Sequence, residues 1–368
     1  MCRRQIIVLI GVLGFLFLKS EYGCAQTTTG LADTIKVGLL ISDSIYQEAR
    51  QAAELAINEA NSEWQSNKKF KLVNRSMEGP WGTGAKQTVD LVFNEQVYAI
   101  IGSHDGRNAH LAEQVIAKTQ VVYVSAWAAD PTLSQAYVPW FFSLVPNNIQ
   151  QAKALCTHMY KTGNFSNVLV ISNADYDAET GAKFFDAEVK EQGFHLPAKF
   201  VYSSDSNLDA LKSRFREQQT EAIVLFGDAA WASKIIQLAK EEKIRIYGSW
   251  LITGESLTEE FKLQNLDDVI GIDAVYWTSE KGKLFSEKYK KKYGTLPGAA
   301  AAYAYDATHF VLAEINKSGF DRELFKSRLR SASYQGITGK VEFDNLGNLK
   351  KEVQLVEIKN GIPHAAGN

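Results

Sequence analysis

Ser103, His104 and Asp105 are adjacent and have the residue types of a nucleophile, a general base and its orienting acid. A catalytic relay needs these groups to converge from separate segments, and adjacent residues of one loop cannot do this. The Gly-x-Ser-x-Gly pattern that surrounds many serine nucleophiles is also absent around Ser103. We therefore expect no catalysis here, and interpret the three residues either as the lining of a cleft or as plain loop structure.

Two other motifs are candidates for cofactor or metal chemistry. The stretch at 79–84 reads Gly-Pro-Trp-Gly-Thr-Gly, which matches neither Gly-x-Gly-x-x-Gly nor a P-loop ending in Lys-Ser/Thr. Trp81 within it either covers a cleft or packs in a core. His104 and His110 are six residues apart on different predicted elements, and the histidines show no metal-site spacing. The sequence predicts no cofactor and no metal.

The amino terminus has the composition of an export signal. Arg3 and Arg4 precede an uncharged apolar run at 6–18, and a polar stretch then ends in small residues. This pattern predicts cleavage after Ala25 and a periplasmic or otherwise extracytoplasmic protein. Two alternatives stay open: an uncleaved anchor, for which the run is short, and lipid attachment at Cys24, which lacks the expected aliphatic residue three positions earlier.

The rest of the chain has an ordinary globular composition. Hydrophobic residues make up 45% and charged residues 22% of its 368 residues, enough for two or three folded domains. Loss of residues 1–25 would change the formal net charge from −2 to −4, and such a mildly acidic chain is not expected to bind nucleic acid. Cys156 is the one cysteine beyond residue 25, so no intrachain disulfide is expected.

Apolar strands alternate with helical patterns in two series. The predicted strands lie at 34–41, 70–73, 99–102 and 121–125 in the first series, and at 168–172, 200–202, 222–226 and 244–247 in the second. Helical spacing relates Ala49, Ala52, Ala53, Ala56, Ile57 and Ala60, and again Ala85, Val89, Val92 and Phe93. The alternation indicates βαβ units and parallel sheets. We interpret the aromatic-rich stretch at 139–146 as a crossing between two lobes.

The predicted architecture is α/β, with two doubly wound parallel-sheet lobes and a ligand cleft between them. Ligands bind outside the carboxyl ends of parallel strands. The loops expected there are 42–46, 78–83, 103–107 and 126–129 in the first lobe and 173–177, 227–230 and 249–255 in the second. The residues predicted to bind the ligand are Tyr46, Trp81, Ser103, His104, Asp105, Gly106, Arg107, Ser125, Ala126, Trp127, Ala128, Tyr176, Asp228, Trp250 and Glu255.

Several of these residues have an alternative, structural interpretation. Arg107 precedes a helix whose free amides favour an anion, so it either contacts an anionic solute or is solvated or bridges the lobes. Trp127 and Trp250 are either platforms for a ligand or core residues, and the two tyrosines can both stack and form hydrogen bonds. Asp228 either contacts the ligand or caps a helix.

The chain resembles the type I periplasmic binding proteins, and most closely the leucine/isoleucine/valine-binding receptors of ABC transporters. The matching strings, in family order, are IKVGLL at 35–40, ELAINEAN at 54–61, AIIG at 99–102, DPTL at 130–133, AYDA at 304–307 and GKVEFD at 339–344. The resemblance implies a receptor that closes around a small solute by hinge motion and delivers it to a membrane permease. We expect this receptor to be monomeric and not an enzyme. It implies a first lobe of 34–144 plus 278–338 and a second of 145–277 plus 339–363.

The resemblance is weakest at the residues that select the solute. In amino-acid-binding members, serines in the loop that corresponds to 102–107 hold the ligand carboxylate, and a threonine at the position of Ala129 assists. Here that loop reads Gly-Ser-His-Asp-Gly-Arg, and alanine replaces the threonine. The acid that holds the ammonium would fall near Trp250, with Glu255 further on, and Tyr176 matches the family tyrosine. We therefore expect a small polar or anionic solute other than leucine, isoleucine or valine. A ligand-sensing domain of a signalling partner is the alternative function.

Overall fold

The computed structural model describes residues 34–42, 47–64, 68–80, 82–103, 105–203, 207–255, 263–273 and 279–367. Within these ranges, no helix has the length and hydrophobicity needed to cross a membrane. The predicted export signal and the predicted site residues Tyr46, Trp81 and His104 lie outside the described residues.

The strands and α-helices follow one another in an almost regular alternation. The first part of the chain contains β1 (Thr34–Ile41), α1 (Gln47–Glu63), β2 (Lys69–Ser76), α2 (Thr83–Val89), β3 (Ala99–Gly102), α3 (Gly106–Thr119), β4 (Val122–Ser125), α4 (Thr132–Gln135) and β5 (Phe141–Ser143). The middle part contains α5 (Asn148–Cys156), β6 (Val168–Ser172), α6 (Tyr176–Glu191), β7 (Ala198–Val201), α7 (Leu208–Glu217), β8 (Ala222–Phe226), α8 (Ala229–Glu241), β9 (Arg245–Gly248) and β10 (Val269–Ile272). The last part contains α9 (Glu280–Tyr293), α10 (Ala299–Ser318), α11 (Arg322–Ser331), β11 (Tyr334–Gln335), β12 (Lys340–Val341), β13 (Leu355–Lys359) and β14 (Ile362–Ala365).

Two sheets with the same strand order organise two lobes, as the sequence predicts. The first sheet is parallel, in the order β2-β1-β3-β4-β5. The parallel strands of the second, β7-β6-β8-β9-β10, repeat that order, and β13 and β14 extend its edge as antiparallel strands. The direction of winding therefore reverses between β1 and β3 in one lobe and between β6 and β8 in the other. Such switch points are where ligands bind in open α/β sheets.

The alanine-rich face predicted for the first helix is confirmed. Ala49, Ala52, Ala53, Ala56 and Ala60 of α1 are all buried. This helix packs against α10, whose first turns are also formed by buried alanines. Small side chains on both helices allow their axes to approach closely, which joins residues 299–318 firmly to the first lobe.

The second predicted helix is confirmed, but two of the four residues that marked it do not face the core. Val89 and Phe93 are exposed, and the buried residues are Gly84 and Thr88 instead. Helix α2 packs against α3 through Gly84, where a Cβ atom would lie 2.6 Å from the side-chain oxygen of Asn108. Because Gly84 has no side chain, α2 can approach α3 closely on this face. A glycine adds nothing to a hydrophobic pattern, so the pattern cannot indicate this contact.

The interpretation of 139–146 as a crossing is wrong in part. Residues Phe141–Ser143 form β5, which pairs in parallel with β4. The chain passes to the second lobe only after this strand, through a buried turn in which Asn147 caps α5. Strand β10 was not predicted at all. The edge strand β5 is only three residues long, too short for its aromatic residues to show a strand pattern.

The chain forms a strand pair on the two sides of the predicted border at 338/339. Strand β11 pairs with β12 across that border, so the border falls within a hairpin. Phe343 then packs on Phe142 and Phe310, with ring centroids 5.0 and 6.0 Å apart. The chain joins the second sheet at β13. The lobe boundaries stay a prediction.

Candidate functional site

The loops that follow the two switch-point strands β3 and β6 contact each other. The backbone N–H of Gly106 in the first lobe donates to the carboxylate of Asp177 in the second, at 3.0 Å to Oδ1 and 3.3 Å to Oδ2. The hydroxyl of Tyr176 donates to Oδ2 of Asp130 across the same gap, at 2.7 Å. The structure therefore brings together the predicted loops 103–107 and 173–177.

Gly106 lies at a point of very close approach between the lobes. It is the first residue of α3, after the N-cap Asp105, whose side chain accepts the N–H of Asn108 at 2.7 Å. A Cβ atom at Gly106 would lie 2.9 Å from Oδ1 of Asp177 and 3.0 Å from Cε1 of Tyr176. Any side chain at position 106 would therefore force the two loops apart.

Asp130 is held in place by its own lobe. Its Oδ1 accepts the N–H and the hydroxyl of Thr132 at 2.9 and 2.7 Å, and its Oδ2 lies 3.3 Å from Nε2 of His110. Burial would raise the pKa of Asp130, but hydrogen bonds from His110, Thr132 and Tyr176 lower it to about 2. Hydrogen bonds to Asp130 and Glu113 raise the pKa of His110 to about 9. Asp130 is thus ionised at neutral pH, and the hydrogen bond from Tyr176 is charge-assisted.

Asp177 has the opposite electrostatic environment. Burial raises its pKa to about 8, helped by the negative charges of Asp105, Asp175 and Asp130, and the hydrogen bond from Gly106 lowers it only in part. At pH 7 the carboxyl group of Asp177 is therefore largely protonated. Its carbonyl oxygen still accepts the Gly106 N–H in that state, because a protonated acid retains acceptor capacity.

Arg107 lies beside this interlobe contact. Its side chain is exposed, and its guanidinium carbon is 5.5 Å from the centroid of the Tyr176 ring, within cation–π distance. Of the alternatives left open by the sequence, the structure contains the lobe-bridging one. A contact between Arg107 and an anionic solute stays a prediction.

The predicted residues that follow β4 are buried and shape their own turn. Ser125, Ala126, Trp127 and Ala128 are all buried. The Ser125 hydroxyl accepts the N–H of Ala128 at 3.2 Å, so it shapes the turn after β4. In the neighbouring loop, the buried Ser103 hydroxyl donates to the backbone oxygen of Asp105 at 2.8 Å. Both serines thus hold the loops that surround the cleft.

Trp250 makes a further contact between the lobes. Its ring meets that of Tyr303 in α10 edge to face, with centroids 4.9 Å apart and planes at 80°. Its indole Nε1–H is buried without a hydrogen-bond partner among the described residues, as are the Ser249 hydroxyl and Oδ2 of Asp273. Ser249 and Asp273 follow β9 and β10 at the carboxyl edge of the sheet. Because buried polar groups are nearly always paired, these atoms are suited to a bound molecule.

Asp228 and Glu255 are the other two residues of the second lobe that were predicted to bind the ligand. Asp228 is exposed and accepts the N–H of Trp231 at 2.7 Å, which makes it the N-cap of α8, the structural alternative considered from sequence. Glu255 ends a π-helical segment, Leu251–Glu255, and its side chain lies outside the described part of the structure. Their contacts with a solute stay predictions.

Sequence reasoning missed three acidic residues of the site. Asp130 follows the predicted loop 126–129 by one residue, and Asp177 ends the predicted loop 173–177. Asp273 follows the unpredicted strand β10. Asp130 and Asp177 could have been included in the predicted site because each lies just after a parallel strand, which is the criterion used for the other loop residues. Their contacts with the opposite lobe could not be inferred from the local sequence.

Solved structures share this architecture over nearly the whole described chain. The branched-chain amino acid transporter substrate binding protein LivJ from Streptococcus pneumoniae, in complex with isoleucine, has a TM-score of 0.75 and 22% identity, covering 90% of this chain and 98% of that one. A solute binding protein of an ABC transporter from R. palustris, in complex with benzoate, has a TM-score of 0.77 and 16% identity, covering 91% and 96%. At such identities the similarity establishes the fold.

The curated relatives are receptor proteins much longer than this chain. Glutamate receptor 1.2 of Arabidopsis thaliana is 21% identical over 392 residues, which cover 97% of this chain and 44% of the receptor. Glutamate receptor 2.2 of the same plant is 22% identical over 253 residues, 66% of this chain and 27% of the receptor. The chain thus spans less than half the length of these relatives. The family described as "Periplasmic binding protein" matches residues 34–363. With that match and the shared type I fold, the chain belongs to the periplasmic binding protein family.

Proposed function

We propose that the protein is an extracytoplasmic receptor that captures a small polar or anionic solute, amino-acid-like or another organic acid, and delivers it to an ABC permease. The solute occupies the cleft between the lobes, and no bond is made or broken. The similarity to substrate-binding proteins of ABC transporters supports this proposal.

The observation that carries the proposal is a set of three buried polar atoms in the residues that follow β9 and β10. One donor (the indole N–H), one hydroxyl (Ser249) and one carboxylate oxygen (Asp273) lack hydrogen-bond partners among the described residues. All three residues follow strands at the carboxyl edge, where ligands bind in such sheets. Leaving a polar group buried and unpaired costs about 1–3 kcal/mol, which a solute with matching groups would recover.

A thermal-shift screen tests this proposal. The panel contains amino acids, organic carboxylates, aromatic acids, nucleosides and sugars. A solute present at 100 times its dissociation constant should add about 2.7 kcal/mol to the stability of the native state, a readily measured shift. Leucine, isoleucine and valine are expected to bind no tighter than about 100 µM, or about −5.5 kcal/mol. A panel in which no compound raises Tm would contradict the receptor function.

Trp250→Phe is expected to weaken binding of the best solute by about ten-fold, since it removes one buried hydrogen-bond donor. The variant without solute should lose some stability, because the smaller ring leaves a cavity beside Tyr303, and removal of the unpaired buried N–H offsets only part of that loss. Isothermal titration and thermal melts measure the two effects. Trp140→Phe is the matched control, because Trp140 is a buried tryptophan beside β5. Equal losses of affinity in both variants would count against a direct contact with Trp250.

The proposed location outside the cytoplasmic membrane has its own test. The basic residues Arg3 and Arg4, the apolar run and the small residues before Gln26 predict export with cleavage after Ala25. Mass spectrometry of the protein from its native host should find a chain that begins at Gln26. A diacylated terminus at Cys24 would establish a lipoprotein instead.

A ligand-sensing domain of a signalling or regulatory partner is the second candidate function. The observation that favours it is the similarity to plant glutamate receptors and to metabotropic glutamate receptor-like protein E of Dictyostelium discoideum, which is 24% identical over 354 residues. The neighbouring genes separate the two candidates. A permease and an ATPase would support transport, and a sensor kinase would support sensing.

A further inference from the structure

We propose that Asp177 is an internal occupant of the anion position at the start of α3, and that it latches the two lobes together when no solute is present. An oxygen of this largely protonated carboxyl group accepts the Gly106 N–H, the first amide of a 14-residue helix, whose partial positive charge would otherwise favour a solute anion. The sequence predicts that the free amides at this helix start favour an anionic group of the solute. In the closed form, a side chain of the protein itself therefore occupies the position proposed for the solute.

The latch consists of two consecutive side chains that face one small target. Tyr176 and Asp177 begin α6, and Asp175 fixes that start by accepting the N–H of Ala178 at 2.7 Å. Tyr176 donates to Asp130 while Asp177 accepts from Gly106. Both contacts depend on the missing side chain at Gly106, and each joins one lobe to the other. Opening the lobes would break both together.

The protonation of Asp177 should respond to opening. The titratable groups on the surrounding elements are Asp105, Arg107 and His110 at α3, Asp130 after β4, and Asp175, Tyr176 and Glu179 at the start of α6. In the closed form, burial and the neighbouring acids raise the pKa of Asp177 to about 8. Opening removes both causes and returns the pKa toward the ordinary value near 4, so closure takes up a proton between roughly pH 4 and 8.

The sign of the pH effect follows from this uptake. Because the closed form binds the extra proton, acid favours closure. The ratio of closed to open molecules should fall by up to about ten-fold for each pH unit as the pH rises toward 8. Above about pH 8 the contribution of Asp177 is constant. Measurements should stay below pH 8.5, because His110, with a pKa of about 9, begins to lose its charge there.

The experiment measures the distance between the lobes in the absence of any solute. Lys86→Cys on α2 and Lys234→Cys on α8 provide exposed positions for nitroxide labels, one in each lobe, while the native Cys156 is buried. Double electron–electron resonance at pH 6 should give a short, narrow distance for the otherwise wild-type protein. Asp177→Ala should shift the distribution to longer distances and lower the closed-to-open ratio by about ten-fold or more.

Three further variants make the result specific. Asp177→Asn keeps an oxygen acceptor but has no charge, so it should stay closed and show no change between pH 6 and 8.5. Tyr176→Phe removes only the bond to Asp130 and should open the lobes in part. Glu179→Ala, an exposed acid on the same helix, should behave as wild type.

Two outcomes would overturn the proposal. The latch is wrong if Asp177→Ala gives the same distances as wild type, or if the wild-type lobes are open at pH 6 without solute. The assignment of the pH response to Asp177 is wrong if wild type and Asp177→Asn open equally as the pH rises. None of these results depends on a solute, so a failure here is distinct from a failure of the receptor function in the thermal-shift screen.

Discussion

Asp306→Ala is expected to lower the free energy of unfolding by about 3–5 kcal/mol. The side chain is fully buried in α10 and accepts three hydrogen bonds: from the N–H of Ile337 at 3.0 Å, and from the N–H and hydroxyl of Thr338, each at 2.7 Å. The hydroxyl of Tyr334 lies 3.4 Å away. Alanine would leave these donors buried without an acceptor, at about 1–3 kcal/mol each. Urea unfolding measures the loss, provided that the denaturant slope is unchanged.

Control variants separate this cluster from the general effect of removing an acid. Asp321→Ala deletes the exposed N-cap of α11, whose side chain accepts the Leu324 N–H at 2.9 Å, and should cost only about 1 kcal/mol. Gly336→Ala should damage the same cluster from the other side, because its Cβ would lie 2.2 Å from Oδ2 of Asp306. If Asp306→Ala cost no more than Asp321→Ala, the cluster would not be the anchor of 334–338 that we infer.

Strands buried on both faces were the easiest elements to predict from the sequence. The predicted ranges of β1, β3, β6 and β8 agree with the structure to the residue. Apart from Thr34 and Lys36 in β1, their sequences are largely apolar, since helices cover both faces of a parallel sheet. The positions of the switch-point loops follow from the order of such strands. The two-lobe architecture could therefore be predicted from the local hydrophobic pattern of the strands and helices.

The polar contacts within the site depend on tertiary structure instead. Nothing in the local sequence of Asp177 indicates that Gly106, 71 positions earlier, donates to it, or that the charges of Asp105 and Asp130 raise its pKa. The same holds for Tyr303, which reaches Trp250 from a helix of the other lobe. Such pairs form only when two separately folded lobes meet, so a single sequence predicts the loops but not their partners.

Arg107→Ala is expected to weaken binding of the tightest-binding carboxylate of the screen by roughly thirty-fold or more. Arg107 is the second residue of α3, next to the Gly106 N–H, where the helix terminus favours an anion. Its planar guanidinium can donate to both oxygens of a carboxylate. In a closed and poorly hydrated cleft, loss of such a contact costs about 2–5 kcal/mol. Isothermal titration of the wild type and the variant at the same pH and salt concentration measures the difference.

The remaining variants assign the effect to the guanidinium. Because Arg107 is exposed, Arg107→Ala should leave the Tm measured without solute nearly unchanged. Arg107→Lys should recover only part of the affinity, since an ammonium cannot reproduce the planar fork. Lys118→Ala, which removes an exposed cation at the other end of α3, should bind as wild type. A solute carboxylate at the Gly106 N–H would take the place of Asp177, so Asp177→Ala should bind it more tightly. Wild-type affinity in Arg107→Ala would mean that the loop amides alone hold the anion.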